Sequence, residues 1–148
     1  MSVHHQTEFD VSFKHCDPAG IVFYPRYVEM LNDVVEHWFK HALACDFATL
    51  HGARGIAIPV VRLETEFKHP ARLGDTLQAE LGVERLGTTS MQIRISLRSK
   101  GAQPEAPPNL VAHLTIVFVQ MEDKRPIAIP PDLRSSAERF LRQPARAT

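Results

Sequence analysis

Asp17 stands in the run His15-Cys16-Asp17-Pro18-Ala19-Gly20-Ile21-Val22-Phe23-Tyr24-Pro25-Arg26-Tyr27, which places one carboxylate in a turn just ahead of a long helical pattern. The proline at 18 pushes Asp17 toward an extended backbone, and Gly20 allows a path that a side chain would obstruct. Pro25 suits the first turn of a helix, where its missing N–H costs little. Unpaired N–H groups at such a start form a positive site that can stabilise a carbonyl oxygen as it gains charge. A carboxylate beside that site is the chemistry of acyl transfer. Without further context the same aspartate also reads as a turn former or helix cap.

Other reactive residues have plainer readings. His15, Cys16 and Asp17 are chain neighbours in an extended segment, so their side chains diverge, and Cys16 reads as a packed thiol. His37 and His41 share a helical face, but the glutamate of an HExxH zinc pattern is missing and a polar stripe is the simpler account. Phe23, Tyr24 and Tyr27 fit either an acyl pocket or a core.

The elements that must position Asp17 follow from periodicity. Phe9, Val11 and Phe13 alternate with polar residues from Glu8 to Lys14 and predict a first strand. His4 and His5 fall in a loose N-terminus. Tyr24, Tyr27, Val28, Leu31, Val34, Val35, Trp38, Phe39 and Ala42 predict a helix that has to be wrapped on most sides. Glu29, Asp33, His37, Lys40 and His41 occupy its remaining side. A short helix or turn is expected over Phe47 to His51. Beyond Gly55 the period becomes two, with apolar faces on Val61–Phe67, Leu77–Val83 and Met91–Leu97, and Pro70 to Asp75 reads as a turn. Gly101 to Pro108, with three prolines, predicts a loop. The strand from Leu110 to Phe118 is apolar on one face and carries Val111 and Val117 on the other, so it is expected to be covered on both sides. Pro131 opens a short terminal helix. One helix followed by strands with single apolar faces implies an α+β fold, an antiparallel sheet curled around a central helix.

Composition narrows the function. With 148 residues the chain suits one domain, burying about 68–70% of its unfolded surface. Seventeen basic and seventeen acidic side chains cancel, which argues against nucleic acid or a membrane surface as partner. No apolar stretch approaches the roughly 20 residues of a bilayer span, and Met1 to Asp10 lacks a hydrophobic secretory segment, so a cytoplasmic protein is expected. Cys16 and Cys45 form neither a disulfide framework nor a zinc pattern.

The run from His15 to Tyr27, the Gly55-Ile56-Ala57-Ile58-Pro59-Val60-Val61 segment, the Pro70-Ala71-Arg72-Leu73-Gly74-Asp75 turn and the order of elements resemble the hotdog-fold acyl-CoA thioesterases of the 4-hydroxybenzoyl-CoA thioesterase type. The resemblance runs from Phe9 to about Pro130. It implies one hotdog domain over residues 1–148, with 1–6 and 143–148 as loose termini. It also implies a homodimer joined at sheet edges, pairing into a homotetramer, with no metal and no cofactor beyond the coenzyme A of the substrate.

By the same resemblance Asp17 is the catalytic carboxylate, as nucleophile on the thioester carbonyl or as general base for water. The N–H groups of Phe23 and Tyr24 polarise the carbonyl, while Gly20, Tyr27, Pro59 and Val60 contact substrate. An aspartate of ordinary pKa, about 3.9, is a weak base at neutral pH, which tips the choice toward nucleophilic attack. An aromatic acyl group such as benzoyl or hydroxybenzoyl is expected, with short or medium aliphatic acyl-CoA as the competitor. The stretch Glu84-Arg85-Leu86-Gly87-Thr88-Thr89-Ser90 lacks most of the positive charge that the resemblance calls for near the phosphates. Arg85, Arg94, Arg98, Lys100, Lys68 and Arg72 are the substitutes. A dehydratase or hydratase of the same fold needs a His and acid pair that this helix start lacks. A nonenzymatic thioester-binding protein remains an alternative.

Overall fold

Seven apolar side chains of one helix, Tyr27, Met30, Leu31, Val34, Val35, Trp38 and Phe39, fall on a single stripe and organise the molecule. In the computed structural model, which describes residues 3–142, they belong to α1 (Tyr24–His41). Each buried side chain of this size stabilises the fold by about 1.5–3 kcal/mol relative to exposure. Pro25 lies in the first turn, as expected of a residue that gives up an N–H where none is needed.

The stripe packs on a five-stranded antiparallel sheet in the order β1-β4-β5-β6-β3. Its strands are β1 (His5–Asp10), β3 (Val60–Phe67), β4 (Thr76–Leu86), β5 (Ser90–Ser99) and β6 (Leu110–Val117). A small second sheet pairs β2 (Ile56–Ala57) with β7 (Val119–Gln120). Alternate residues of β4, β5 and β6, such as Leu81, Ile95 and Ala112, close the core beneath α1. The short helix α2 (Phe47–His51) is capped by the Asp46 carboxylate, which accepts from Thr49 N–H at 2.8 Å. After α3 (Pro131–Glu138) the chain returns to the sheet, where Val83 N–H donates to Phe140 C=O and Arg142 N–H to Val83 C=O, each at 2.8 Å. A paired Arg54–Asp132 contact at 2.8 and 2.9 Å ties the segment before β2 to α3, and it holds the Asp132 carboxyl below its ordinary range.

This is the helix-on-sheet hotdog architecture expected from the sequence, with four local corrections. The first strand starts at His5 and ends at Asp10, because the chain then tightens into a 3-10 turn over Phe13–His15 and leaves Phe13 84% exposed. α1 is covered on one stripe rather than most sides, so Tyr24 and Val28 remain exposed. β6 is buried on its inner face only, since Val111 and Val117 are half-buried. Residues 5 and 6 are not part of a loose terminus, because His5 and Gln6 pair with β4. Met1, Ser2 and the expected loose tail 143–148 lie outside the described residues. Among the described residues no helix is long and apolar enough to cross a membrane.

His5 also locks β1 to the helix, its Nε2 lying 2.7 Å from His37 Nδ1, with the His41 ring tilted against that of His37 at a centroid distance of 4.2 Å. Two neutral rings can share that hydrogen, whereas two imidazoliums cannot. Burial, with the neighbouring His37 and His41, pushes His5 from 6.5 down to about 4, and burial also lowers His37. The unfolded chain therefore binds more protons in this window, and folding stability should fall as pH drops from about 6.5 through about 4. Urea midpoints measured across that range should slope for the wild type and flatten for His5→Gln; equal slopes would remove His5 from the account.

Candidate functional site

A hydrogen-bonded detour of the backbone builds the ground around Asp17. Gly20 N–H donates to Asp17 C=O at 2.9 Å and Asp17 N–H to Ile21 C=O at 3.0 Å, so residues 17–21 fold back as a tight turn. Cys16 then faces Val22 in an antiparallel bridge, and Phe23 N–H donates to His15 C=O at 2.9 Å. On the other side Ile21 bridges to Arg72, Val22 N–H reaches Ala71 C=O at 2.9 Å, and Leu73 N–H reaches Gly20 C=O at 3.2 Å. The 3-10 turn below is braced by Ser12 N–H donating to His15 Nδ1 at 2.9 Å. Burial holds His15 below its ordinary pKa, which favours the neutral ring that this contact requires.

These bonds sort the amides at the helix start. Phe23 N–H is spent on His15, and Pro25 has none to give. Arg26 N–H returns to Phe23 C=O at 2.8 Å. Tyr24 N–H receives no backbone carbonyl among the described residues, and α1 has no side-chain cap. The expected pair of donors, Phe23 and Tyr24, is thereby reduced to Tyr24 alone, at the positive end of an 18-residue helix.

The carboxylate is divided in the same way. Asp17 Oδ1 accepts from Ala19 N–H at 2.8 Å, closing an Asx turn, whereas Oδ2 has no hydrogen-bond partner among the described residues. One oxygen fixes the side chain and the other is free of protein partners among the described residues. Asp17 itself is half-buried.

The other expected contacts divide into two groups. Tyr27 is 4% exposed, and its hydroxyl accepts from Ala71 N–H at 3.1 Å. Burial raises its pKa. It is a brace that holds the 70–75 turn against the helix start, which corrects the expectation that it touches substrate. Gly20, at φ +79°, acts through its backbone. Pro59 and Val60 line an apolar cavity of about 680 Å³ that also takes in Val28, Leu31 and Val35 of α1 and Leu63 of β3. The sequence reading did not single out its three polar lining residues, Asn32, His51 and Lys124, because no spacing rule links α2 to the face of α1. Val28 follows Tyr24 by four residues, so it lies on the same helical face about 6 Å further along the axis. The cavity therefore begins one helical turn from the free Tyr24 N–H.

A carboxylate with one free oxygen, an unpaired helix-terminal N–H and an apolar cavity along that helix can bind an acyl group and activate its carbonyl. Comparison with known proteins agrees in kind. Residues 11–136 match the family model described as the thioesterase-like superfamily. The chain belongs to that superfamily. A 1,4-dihydroxy-2-naphthoyl-CoA hydrolase of Thermosynechococcus vestitus is 23% identical over 123 residues, covering 83% of this chain and 81% of that one. A protein of the same description from Crocosphaera subtropica is 27% identical over 84 residues, 57% of this chain, and the match spans 61% of that relative's length. Among solved structures, a gentisyl-coenzyme A thioesterase superposes with TM-score 0.77 at 22% identity, covering 90% of this chain and 99% of that one. A Synechocystis 1,4-dihydroxy-2-naphthoyl-CoA thioesterase gives TM-score 0.81 at 17% identity, covering 91% and 96%.

The Gly20 conformation supplies a direct test of this thioesterase-like site. Nothing lies within 4 Å of where a Cβ would sit, so Gly20→Ala meets only the strain of a left-handed backbone. Chemical denaturation should show a loss of about 1–2 kcal/mol. Hydrolysis should fall by more than that loss of folded protein accounts for, since the turn aims Asp17; full activity in the folded variant would break the link.

Proposed function

We propose that this protein is an acyl-CoA thioesterase that releases coenzyme A and an aromatic carboxylic acid, with Asp17 as the reacting carboxylate. The observation that carries the reading is that the Asp17 turn, with one carboxylate oxygen free, is closed by hydrogen bonds onto the head of α1, where the Tyr24 N–H is unpaired. As the tetrahedral intermediate forms, negative charge grows on the carbonyl oxygen, and the Tyr24 N–H and the helix end stabilise it. In the nucleophilic route Asp17 attacks the carbonyl carbon, the thiolate leaves and takes a proton from solvent, and water cleaves the resulting mixed anhydride. In the general-base route Asp17 takes a proton from the attacking water and no anhydride forms. The tether to Ala19 N–H favours the first route slightly, because it holds the free oxygen in place without a second water-binding group. The relatives named for naphthoyl and gentisyl thioesters support an aromatic acyl group. The long apolar cavity keeps a medium-chain aliphatic acyl group as the second reading.

The active form we propose is a dimer, with dimers pairing into tetramers. β3 is an edge strand whose Val61 is 60% and Phe67 50% exposed, and the Tyr24 ring meets Phe67 edge-on at 6.4 Å. An exposed apolar edge of this kind invites pairing with a second copy unless something covers it. For the coenzyme A phosphates the reading favours Arg72, exposed and bridged through its backbone to Ile21 beside the Asp17 turn. Lys100 and Lys68 are engaged by Glu8 and Glu66 at 3.3 and 3.4 Å, and Arg98 by the Ala106 carbonyl.

Thiol release from benzoyl-, hydroxybenzoyl-, naphthoyl-, acetyl- and hexanoyl-CoA tests the assignment. Asn at 17 keeps an oxygen for Ala19 N–H, so Asp17→Asn should fold normally by circular dichroism yet lose at least about a hundredfold in kcat. Retained turnover in that folded variant would exclude Asp17 as the reacting group. Single turnover in heavy-oxygen water separates the routes, with label in Asp17 expected for the anhydride. Leu63→Arg on the exposed edge should shift light scattering from dimer toward monomer and lower activity with it; a wild type that is monomeric at assay concentration would end the dimer reading.

A further inference from the structure

The cavity along α1 contains one polar group whose chemistry is fixed by its neighbours. His51 ends α2, lines the cavity and is half-buried. Its Nδ1 lies 2.8 Å from the Phe47 carbonyl, and its ring stands edge-on to Phe47 with centroids 5.3 Å apart. A carbonyl oxygen only accepts, so in the neutral ring the hydrogen sits on Nδ1 and Nε2 carries a bare lone pair. That nitrogen has no partner among the described residues. Asn32 and Lys124, the other polar lining residues, are exposed and can satisfy themselves with water. His51 thus brings a free acceptor nitrogen to the lining of a mostly apolar cavity.

Length completes the argument. The lining positions Val28 and Val35 lie seven residues apart on α1, about 10 Å along its axis, and begin one turn beyond the helix start. A single benzene ring attached to a carbonyl at Tyr24 fills only the near part of that distance, whereas a fused pair of rings reaches further along it. We propose that His51 is a specificity-determining residue whose Nε2 accepts a hydrogen bond from a ring hydroxyl of a fused-ring aromatic acyl group. This rests on the reading of the cavity as the acyl site. A donor on the substrate is rewarded there, and a bare ring leaves the lone pair of His51 unpaired or hydrated. A substrate carrying only acceptors at that place is disfavoured.

The test uses product analogues, so that it does not depend on turnover. Binding of 2-naphthoic acid and of hydroxy-2-naphthoic acids with the hydroxyl at successive ring positions is measured by calorimetry on the wild type and on His51→Phe. At least one hydroxylated isomer should bind about tenfold more tightly than the parent acid to the wild type. His51→Phe, which keeps an aromatic ring beside Phe47, should erase that preference, read as the ratio of the two affinities within the variant. Equal binding of all isomers by the wild type, no binding of any, or a preference that survives in a folded His51→Phe would overturn the assignment. Should the variant not fold, nitrogen NMR of histidine-labelled wild type gives the same decision. The Nε2 resonance of His51 should move with the preferred hydroxylated acid and not with the parent, and an unmoved resonance overturns the proposal. Absence of thioester hydrolysis alongside a hydroxyl preference lost in His51→Phe would remove the catalytic reading and leave the binding role of His51 standing.

Discussion

The hydrogen bond from Phe23 N–H to His15 C=O decides what the rest of the site can be. It closes the detour through residues 17–21 and brings the chain back to the point where α1 begins, so the Asp17 turn and the helix start share one rigid base. It also withdraws one amide from the helix end. With Pro25 lacking an N–H, Tyr24 is left as the single unpaired donor in that turn among the described residues. A carbonyl oxygen has room for two donors, so a site built on one leaves the second position to water or to another chain.

The base is rigid because it is held from below and from the side. The 3-10 turn over Phe13–His15 positions the acceptor, and the 70–75 turn clamps Val22 and Gly20. Tyr27 ties α1 to the 70–75 turn by accepting from Ala71 N–H inside the core. A buried hydroxyl without that partner would cost on the order of 1–3 kcal/mol, so the aromatic side chain and the turn stabilise one another. The core of α1 therefore does more than bury surface. It transmits the position of the sheet to the helix start, since Tyr27 lies one turn along from Tyr24's neighbour Phe23 and on the buried side.

Much of this was legible in the sequence because periodicity reports burial. The alternation in β4 and β5, the Pro25 helix start, the 70–75 turn and Pro131 all appear where the patterns put them. The misreadings share a cause: an apolar residue is compatible with a core, a cavity or an interface, and period cannot separate these. Phe13, Tyr24 and Val28 continue an apolar pattern yet are exposed, while Tyr27, on the same helix, is buried and spends its hydroxyl on the backbone. His5 looked like part of a terminus because its partner His37 lies 32 residues away. The division of donors between Phe23 and Tyr24 was equally hidden, since a hydrogen bond to His15 leaves no trace in composition or spacing.

The exposed apolar residues link two properties that are usually treated separately. Val28, Val60 and Leu63 line the cavity, and all three are exposed; Val61 and Phe67 continue the same strand outward. β3 is therefore wall to the cavity on one side and open edge on the other, with a bulge at Val61 that bends it between the two. If a second copy pairs along this edge, it also narrows the cavity mouth and excludes water from the acyl group, strengthening the electrostatic effect of the helix end on the carbonyl. Substrate in the cavity would in turn favour the paired state, because each event buries apolar surface that the other leaves exposed. On this account oligomerisation and acyl binding are coupled through a single strand, and residues such as Leu63 belong to both.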